Sequence, residues 1–299
     1  EFLRLGRAEG TARVYDRQLV HIRTAIGELQ LRELTVPAVD RFLEALGKSS
    51  GPESARLSRV VLSAICKLAV RKGAMHANPV RDAGPTPRST SIVRSVDVAD
   101  VTKLRSELAV WDRGKDNAGR FRQTDLADPV DMILGTGMRT GEVFAVRWAD
   151  LDLDADTSTV EVSGTVIFRK GEGYMRQDHG KSDRSWRRLM LPLFVEEMLL
   201  LRRPLSQGEY VFDSSASTIR SPNNFRTQWR AFREAHEYEN WIVPKTFRKA
   251  VATLVKRTDG LELASDQLGH SGTSVTRKHY VEESHIGPDV RETLQRFAT

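Results

Sequence analysis

Cysteine is almost absent from the sequence. Cys66 is the single cysteine among 299 residues. One thiol excludes an intramolecular disulfide and every zinc site that needs several cysteines. Because Cys66 lies inside the apolar stretch VVLSAICKLAV, we expect it to be a small core residue. No apolar run approaches the length of a membrane span, and no signal peptide is visible. We therefore expect a cytoplasmic protein without a membrane partner.

Motifs of several common enzyme classes are missing too. The seven histidines include no H-E-x-x-H pair or comparable ligand spacing, which argues against a metal site. The segment GHSGT lacks the second glycine at the position that a nucleophile elbow requires. No glycine-rich loop suited to ATP phosphates is found either. We therefore expect neither a metal nor an organic cofactor.

Basic residues exceed acidic ones, but not evenly along the chain. Lys and Arg total 46 against 40 Asp and Glu, a net charge of +6. Residues 1–88 hold 15 basic and 9 acidic side chains, whereas the remainder holds 31 of each. A positive amino-terminal third indicates a polyanion such as nucleic acid, and a solvated basic surface would explain the charge equally well.

The first 84 residues have the pattern of a small helical bundle. Apolar residues recur at helical spacing in 11–27, 35–47 and 52–73, and Pro79 disfavours helix at the residue before it. Basic side chains lie mostly off these apolar faces, as a DNA-facing surface would require. The candidates for DNA contact are Arg13, Arg17, Arg56, Arg59, Arg71 and Lys72.

A stretch rich in Pro, Ser and Thr, residues 85–95, has the composition of a linker and predicts a domain boundary. Beyond it, residues 96–299 form a second domain with further helical patterns. Residues 158–168 and 185–193 read as strands around a polar loop, so we expect a β-hairpin or small meander. The fold class is thus mainly α with a small antiparallel β-sheet.

Four short motifs of the second domain carry the residues of chemical interest. GTGMRTGEVF places Arg139 at a turn that opens a helix, and GKSDRSWRRLMLP places Lys181 before a strand. In VPKTFRKAVATL, Lys245 and Arg248 lie three apart and share a helical face. LGHSGTSVTRKHY supplies His270 and Tyr280.

In this order, and with this spacing in the last motif, the four segments resemble the tyrosine recombinase (phage integrase) family. The resemblance extends over nearly the whole chain. It implies a helical core-binding domain in residues 1–84 and a mixed α/β tyrosine-recombinase catalytic domain in residues 96–299. It further suggests an actinobacterial or phage-type integrase that lacks the amino-terminal arm-binding domain found in many relatives.

The resemblance also implies a role for each motif residue. Arg139 and Arg248 would hold the scissile phosphate, because a guanidinium group offers a planar fork of donors and stays charged. His270 would donate a further hydrogen bond, and Tyr280 would be the nucleophile. A phenol with an ordinary pKa of ~10 reacts poorly at neutral pH, so a cationic pocket is needed. Lys181 would be the general acid that protonates the departing 5′ oxygen.

The assignment of Lys245 departs from the usual family pattern, and the assignment of Lys181 has a competitor. The family usually has His where this chain has Lys245, so phosphate binding is expected there while proton acceptance from Tyr280 stays open. Lys170, in FRKGEG, competes with Lys181, and we favour Lys181 because it shortly precedes a strand that ends at Pro192. Glu142 and Asp150 are expected to orient Arg139.

The carboxy-terminal segment, about 281–299, carries a short apolar stripe that begins after Pro288. A helix this short is marginal alone, so it is expected to dock either on a neighbouring protomer or on its own domain.

The resemblance implies double-stranded DNA with attachment-type sites as the partner. A homotetramer would exchange strands through a Holliday junction, with an accessory DNA-bending protein as a further candidate partner. The protein would associate with the nucleoid of a bacterial host. Two alternatives stay open: a type IB topoisomerase, and a non-catalytic DNA-binding protein with the same fold.

Overall fold

A computed structural model of the chain describes residues 3, 6, 9–86, 93–178, 186–270 and 272–280. The chain divides into two compact units, Glu1–Ser91 and Ile92–Thr299. This division falls inside the stretch for which composition predicts a linker. Within the described ranges, every helix is too short or too polar to cross a bilayer.

The first unit is built from three helices. They are α1 (Glu9–Ile26), α2 (Val36–Ser50) and α3 (Pro52–Arg71). Their apolar faces meet in one core, whose fully buried members include Val39, Val61 and Leu62. Cys66 lies in the same core, where burial raises the pKa of its thiol. The three helical patterns read from the sequence are thus observed, with ends that differ by a few residues.

A single glycine separates α2 from α3. Gly51 adopts a φ of 87°, in the left-handed region that side chains rarely tolerate. Pro52 then occupies the first turn of α3, where its missing N–H costs no helical hydrogen bond. This junction lets two helices with continuous apolar faces fold back on each other.

Arg59 of α3 binds the segment that follows the helix. Its guanidinium donates to the carbonyl oxygens of Val80, Ala83 and Gly84. Gly84 in turn donates its N–H to Asp40 at 2.8 Å. The guanidinium is therefore committed to fixing this segment, because the carbonyls there lie outside any helix that would pair them. This role differs from the DNA contact expected of Arg59.

The other candidates for DNA contact in this unit are exposed. Arg56 forms an ion pair with Glu53 at 2.6 Å on the surface of α3. The exposed members of the predicted set are Arg13, Arg17, Arg56, Arg71 and Lys72.

The second unit is mostly helical. Its helices are α4 (Val98–Arg113), α5 (Ala127–Thr136), α6 (Thr140–Val143), α7 (Leu193–Arg202), α8 (Pro222–Ala235), α9 (Pro244–Asp259), α10 (Leu261–Leu268) and α11 (Thr273–Tyr280). Its strands are β1 (Leu151–Asp152), β2 (Thr159–Val162), β3 (Thr165–Arg169), β4 (Gly173–Gln177) and β5 (Arg187–Met190). The expected fold class, mainly α with small antiparallel sheets, is confirmed.

The strands form two antiparallel sheets rather than a single hairpin or meander. One has the order β1-β2-β5, and the other pairs β3 with β4. The strand pattern at 158–168 is divided between the two sheets at Ser163 and Gly164. Gly164 leaves room for Arg176, whose guanidinium would lie within 2.7–2.9 Å of any added Cβ. Where β4 lies, the sequence suggested only a polar loop. The strand was missed because its residues are all half-buried and show no alternation.

Helices α5, α8 and α9 contribute their apolar faces to the core of the second unit. Fully buried aromatic side chains such as Phe225, Trp229 and Phe247 fill it. Trp229 packs edge-on against Phe247, with ring centroids 5.1 Å apart, and donates its indole N–H to the carbonyl of Ile242 at 2.9 Å. These contacts fix the amino-terminal end of α9 in the core. Arg248 lies in the second turn of this helix.

Candidate active site

Arg139 lies at the turn between α5 and α6. Helix α5 ends at Gly137, which adopts a left-handed φ of 69°. Two residues later, the backbone N–H and the Nη1 of Arg139 both donate to Glu142, at 2.9 Å and 2.7 Å. The Arg139 side chain is 42% exposed, so part of its guanidinium faces solvent while the rest is held.

Glu142, an expected partner of Arg139, is buried beneath it. Burial by itself would raise the pKa of this carboxyl group. The charges of Arg187, Arg139 and Arg248 outweigh burial and hold the pKa below its ordinary value. Glu142 is therefore ionised at neutral pH and acts as a common counter-ion for three cations.

Arg187 on β5 is the second arginine that contacts Glu142. Its Nη2 donates to Glu142 at 3.1 Å, and its Nε donates to the carbonyl of Gln267 at 3.1 Å. The side chain is only 8% exposed. The sequence motifs did not single out this residue. The missed signal is the two-residue period of β5, which puts Arg187 on the buried side with Leu189.

Arg248 on α9 is almost completely buried. Its guanidinium donates to the carbonyl oxygens of Gly137 and Leu268 and to the Nε2 of His270. Burial and then the neighbouring Arg139 lower its pKa to about 10, which leaves the group cationic at neutral pH. Its Nε, also buried, has no hydrogen-bond partner among the described residues. A buried donor without a partner is costly, and an anion oxygen would satisfy it.

His270 follows α10 and is 4% exposed. Its Nε2 lies 2.9 Å from the Nη2 of Arg248, and its Nδ1 lies 2.7 Å from the hydroxyl of Thr276. Burial, followed by the charges of Arg248, Arg139 and Arg187, lowers the pKa of His270 to about 4. The imidazole is therefore neutral at pH 7. Since its Nε2 faces Arg248, the expected donation to a phosphate stays a prediction.

Tyr280 ends the described part of α11 and is half-buried. Its ring centroid lies 4.6 Å from that of His270 and 5.2 Å from the Cζ of Arg248. The Nζ of Lys245 lies 5.1 Å from the same ring centroid, within the range of a cation–π interaction. The structure thus brings Tyr280, His270, Arg248 and Lys245 into contact.

Asp150 has partners other than the expected Arg139. Its carboxylate accepts hydrogen bonds from Arg147 at 2.9–3.2 Å and from Ser163 at 3.2 Å. Arg176, from β4, lies 3.5 Å away. Asp150 therefore belongs to a neighbouring ion-pair cluster that joins the β3–β4 hairpin to the residues after α6. The reason is that Arg147 occupies the N-cap of the next helical turn, as Arg139 does for α6. Asp150 therefore accepts the backbone N–H of Arg147.

The hairpin lysine stays a prediction. Lys170 is exposed at the turn between β3 and β4. Lys181, the favoured candidate, lies outside the described residues, as does the segment 281–299.

Arg139, Arg187 and Arg248 thus surround the buried carboxylate of Glu142. The imidazole of His270 and the phenol of Tyr280 lie against Arg248. Among the described residues, no group of three His, Cys, Asp or Glu side chains could hold a metal ion. Among the described residues of this cluster, four cationic side chains outnumber the carboxylate of Glu142, so its net charge is positive; they are Arg139, Arg187, Arg248 and Lys245. Such a cluster is suited to binding an oxyanion and to stabilising negative charge that develops during a reaction.

Known proteins are similar to this chain in sequence and in fold. The model of the phage integrase family matches residues 115–285. An integrase of Streptomyces ambofaciens is 26% identical over 285 residues, which cover 87% of this chain and 68% of that protein. This relative agrees with the expected actinobacterial type of integrase.

Two solved structures share the fold. The Tn1549 transposon integrase in complex with transposon right end DNA superposes with a TM-score of 0.77 at 16% identity. That match covers 99% of this chain and 96% of the other. A lambda integrase tetramer bound to a Holliday junction gives a TM-score of 0.66 at 16% identity, covering 94% of this chain and 75% of the other.

Proposed function

Since the chain belongs to the phage integrase family, we propose that it is a site-specific DNA recombinase that cleaves and rejoins DNA through a 3′-phosphotyrosyl intermediate. The observation that carries the proposal is the contact of Tyr280 with Arg248, His270 and Lys245. These are motif residues from two of the four segments, VPKTFRKAVATL and LGHSGTSVTRKHY. Their convergence favours catalysis over a DNA-binding protein that has lost its site.

In the proposed reaction, a phosphate of the DNA backbone binds between Arg139 and Arg248. The phenol of Tyr280 gives up its proton to solvent, its oxygen attacks the phosphorus, and the bond from phosphorus to the 5′ oxygen breaks. The leaving oxygen takes a proton from Lys181 acting as general acid. Reversal by another 5′ hydroxyl rejoins the strand. The phosphodiester energy is conserved in the link to Tyr280, so no nucleotide cofactor is needed.

We extend the proposal to the assembly. Residues 1–84 and 96–299 would each contact duplex DNA, and four protomers would exchange strands through a Holliday junction. The support is the lambda integrase tetramer, which is bound to such a junction. An accessory bending protein and association with the nucleoid belong to the same proposal. Docking of the segment 281–299 on a neighbouring protomer would couple assembly to cleavage.

The test is covalent capture of DNA, with Tyr280→Phe as the matched variant. The probe is a pool of duplexes with random sequence around a nick, so that a short product is lost after cleavage and rejoining is prevented. We expect the wild-type chain to retain DNA through denaturing detergent, and sequencing should reveal one enriched site. Tyr280→Phe should bind that site with similar affinity because it loses only the nucleophilic oxygen.

Three results would count against this proposal. Capture by Tyr280→Phe would refute the nucleophile, and absence of any captured DNA would favour the non-catalytic alternative. Captured DNA without an enriched sequence, together with sustained relaxation of a supercoiled plasmid, would favour the type IB topoisomerase.

A further inference from the structure

Thr276 is a buried polar residue that the motif roles do not explain. It lies on α11 and is fully buried. Its Oγ1 lies 2.7 Å from the Nδ1 of His270. No part of the reaction proposed above uses this hydroxyl group, although it touches the imidazole directly.

The direction of the hydrogen bonds around His270 follows from chemistry. A guanidinium group donates hydrogen bonds and cannot accept them. The Nε2 of His270, at 2.9 Å from the Nη2 of Arg248, must therefore accept. A neutral imidazole that accepts at one nitrogen carries its proton on the other. The Nδ1–H of His270 consequently donates to the Oγ1 of Thr276.

Thr276 and Tyr280 lie four residues apart on the same helix. Residues at this spacing share one face, so the hydroxyl and the phenol both point towards His270. This agrees with the 4.6 Å between the rings of His270 and Tyr280. A continuous path of contacts therefore runs from Arg248 through His270 and Thr276 to the helix that carries Tyr280.

We propose that Thr276 is a positioning residue for the cleavage reaction, because it fixes the tautomer of His270 and attaches the Tyr280 helix to Arg248. The proposal rests on the function proposed above. Without the acceptor oxygen, the Nδ1–H would be buried and unpaired, which is unfavourable. The proton would then move to Nε2, where it would oppose the donor of Arg248 and break that contact.

The low basicity of His270 is consistent with this arrangement. Burial lowers the pKa of the ring most, and the charges of Arg248, Arg139 and Arg187 lower it further. Glu142 raises it, but the net effect keeps the ring neutral. A neutral ring has one proton to place. Thr276 decides which nitrogen receives it.

The experiment compares two substitutions at one position. Thr276→Val keeps the shape and the branched Cβ but removes the acceptor, whereas Thr276→Ser keeps a hydroxyl. Thr273→Val, the same exchange at the start of α11, is the matched control. The first readout is the ¹⁵N chemical shift pattern of the His270 ring in the full chain without DNA, identified by its loss in His270→Gln. The second is the single-turnover rate of covalent capture on the nicked duplex.

We expect the wild-type chain, Thr276→Ser and Thr273→Val to show the Nδ1–H tautomer. Thr276→Val should show the Nε2–H tautomer or a mixture. Its capture rate should fall about tenfold, which corresponds to the loss of one buried hydrogen bond. Thr276→Ser should stay within about threefold of the wild-type rate, because a hydroxyl acceptor remains.

An unchanged tautomer in Thr276→Val would overturn the proposal. So would equal losses of rate in Thr276→Ser and Thr276→Val, since packing alone would then explain both. If the wild-type chain captured no DNA while the tautomer changed as expected, the recombinase function would fail and the contact would stand.

Discussion

At the residue scale, charge imbalance is the main property of the site. Glu142 interacts with Arg187, Arg139 and Arg248 but carries a single negative charge. The buried Arg248 also keeps one N–H without a partner among the described residues. Both features are unfavourable in the folded chain, and a bound phosphate would offset both. These features thus lower the stability of the folded chain and favour the binding of an anion.

His270 should make stability depend on pH. Its folded pKa of about 4 lies below the ordinary value of 6.5, so folding favours the neutral ring. This stabilisation is complete above pH ~6.5 and is lost as the pH falls towards 4, where the folded ring also becomes protonated. The loss for this one group should be roughly 2–3 kcal/mol.

The measurement is the free energy of unfolding by urea at pH 4.5, 5.5 and 7 for wild type and His270→Gln. Other groups titrate in the same range, so the difference between the two proteins is the quantity of interest. A difference that does not change with pH would contradict the low pKa.

At the element scale, the turn between α5 and α6 connects both arginines that would bind phosphate. Arg139 follows this turn, and the carbonyl of Gly137 within it accepts a hydrogen bond from Arg248. A Cβ added to Gly137 would lie 3.0 Å from Leu268 and 3.3 Å from Val251. The turn therefore has a backbone and a packing that only glycine fits.

Gly137→Ala should lower the free energy of unfolding by roughly 2–4 kcal/mol, through left-handed strain and overpacking together. Gly119→Ala is the control, because Gly119 has a φ of 77° but open space around it. It should lose roughly 1 kcal/mol from strain alone. Thermal or urea unfolding checks both, and equal losses would rule out a role for the contacts with Leu268 and Val251.

Arg59 should matter for stability rather than for DNA. Arg59→Ala removes three hydrogen bonds to carbonyl groups after α3, and we expect a loss of about 2 kcal/mol in the free energy of unfolding. The exposed Arg17→Ala should leave stability within about 0.5 kcal/mol of wild type. The salt dependence of DNA binding should decrease in Arg17→Ala and not in Arg59→Ala. The reverse pattern would indicate that Arg59 contacts DNA and that Arg17 does not.

At the scale of the whole molecule, affinity for DNA should be largely electrostatic. The excess positive charge lies in the first 88 residues, and the clustered cations of the second unit add to it. The logarithm of the association constant should fall linearly with the logarithm of salt concentration. Fluorescence anisotropy on a labelled duplex between 50 and 300 mM salt, a range of about sixfold, checks this. An affinity that is insensitive to salt would exclude a phosphate-dominated interface.

Local sequence patterns were enough to predict the helices of the first unit and several of the residues at the candidate site, but not Arg187. Apolar periodicity is a local property, so α1, α2 and α3 could be predicted within a few residues. The resemblance of the motifs to a known family implied that Arg248, His270 and Tyr280 belong to one site. Short strands such as β4 were missed because half-buried residues carry no alternation.

The partners of the charged groups could be identified only in the folded chain. Asp150 and Glu142 look alike in sequence, each three residues after an arginine, yet Asp150 contacts Arg147 and Glu142 contacts Arg139 and Arg187. Arg59 likewise binds carbonyl groups 21 or more positions away, and Thr276 contacts a histidine six positions away. The physical reason is that an ion pair or a buried hydrogen bond depends on distance and burial, which many chain segments fix together.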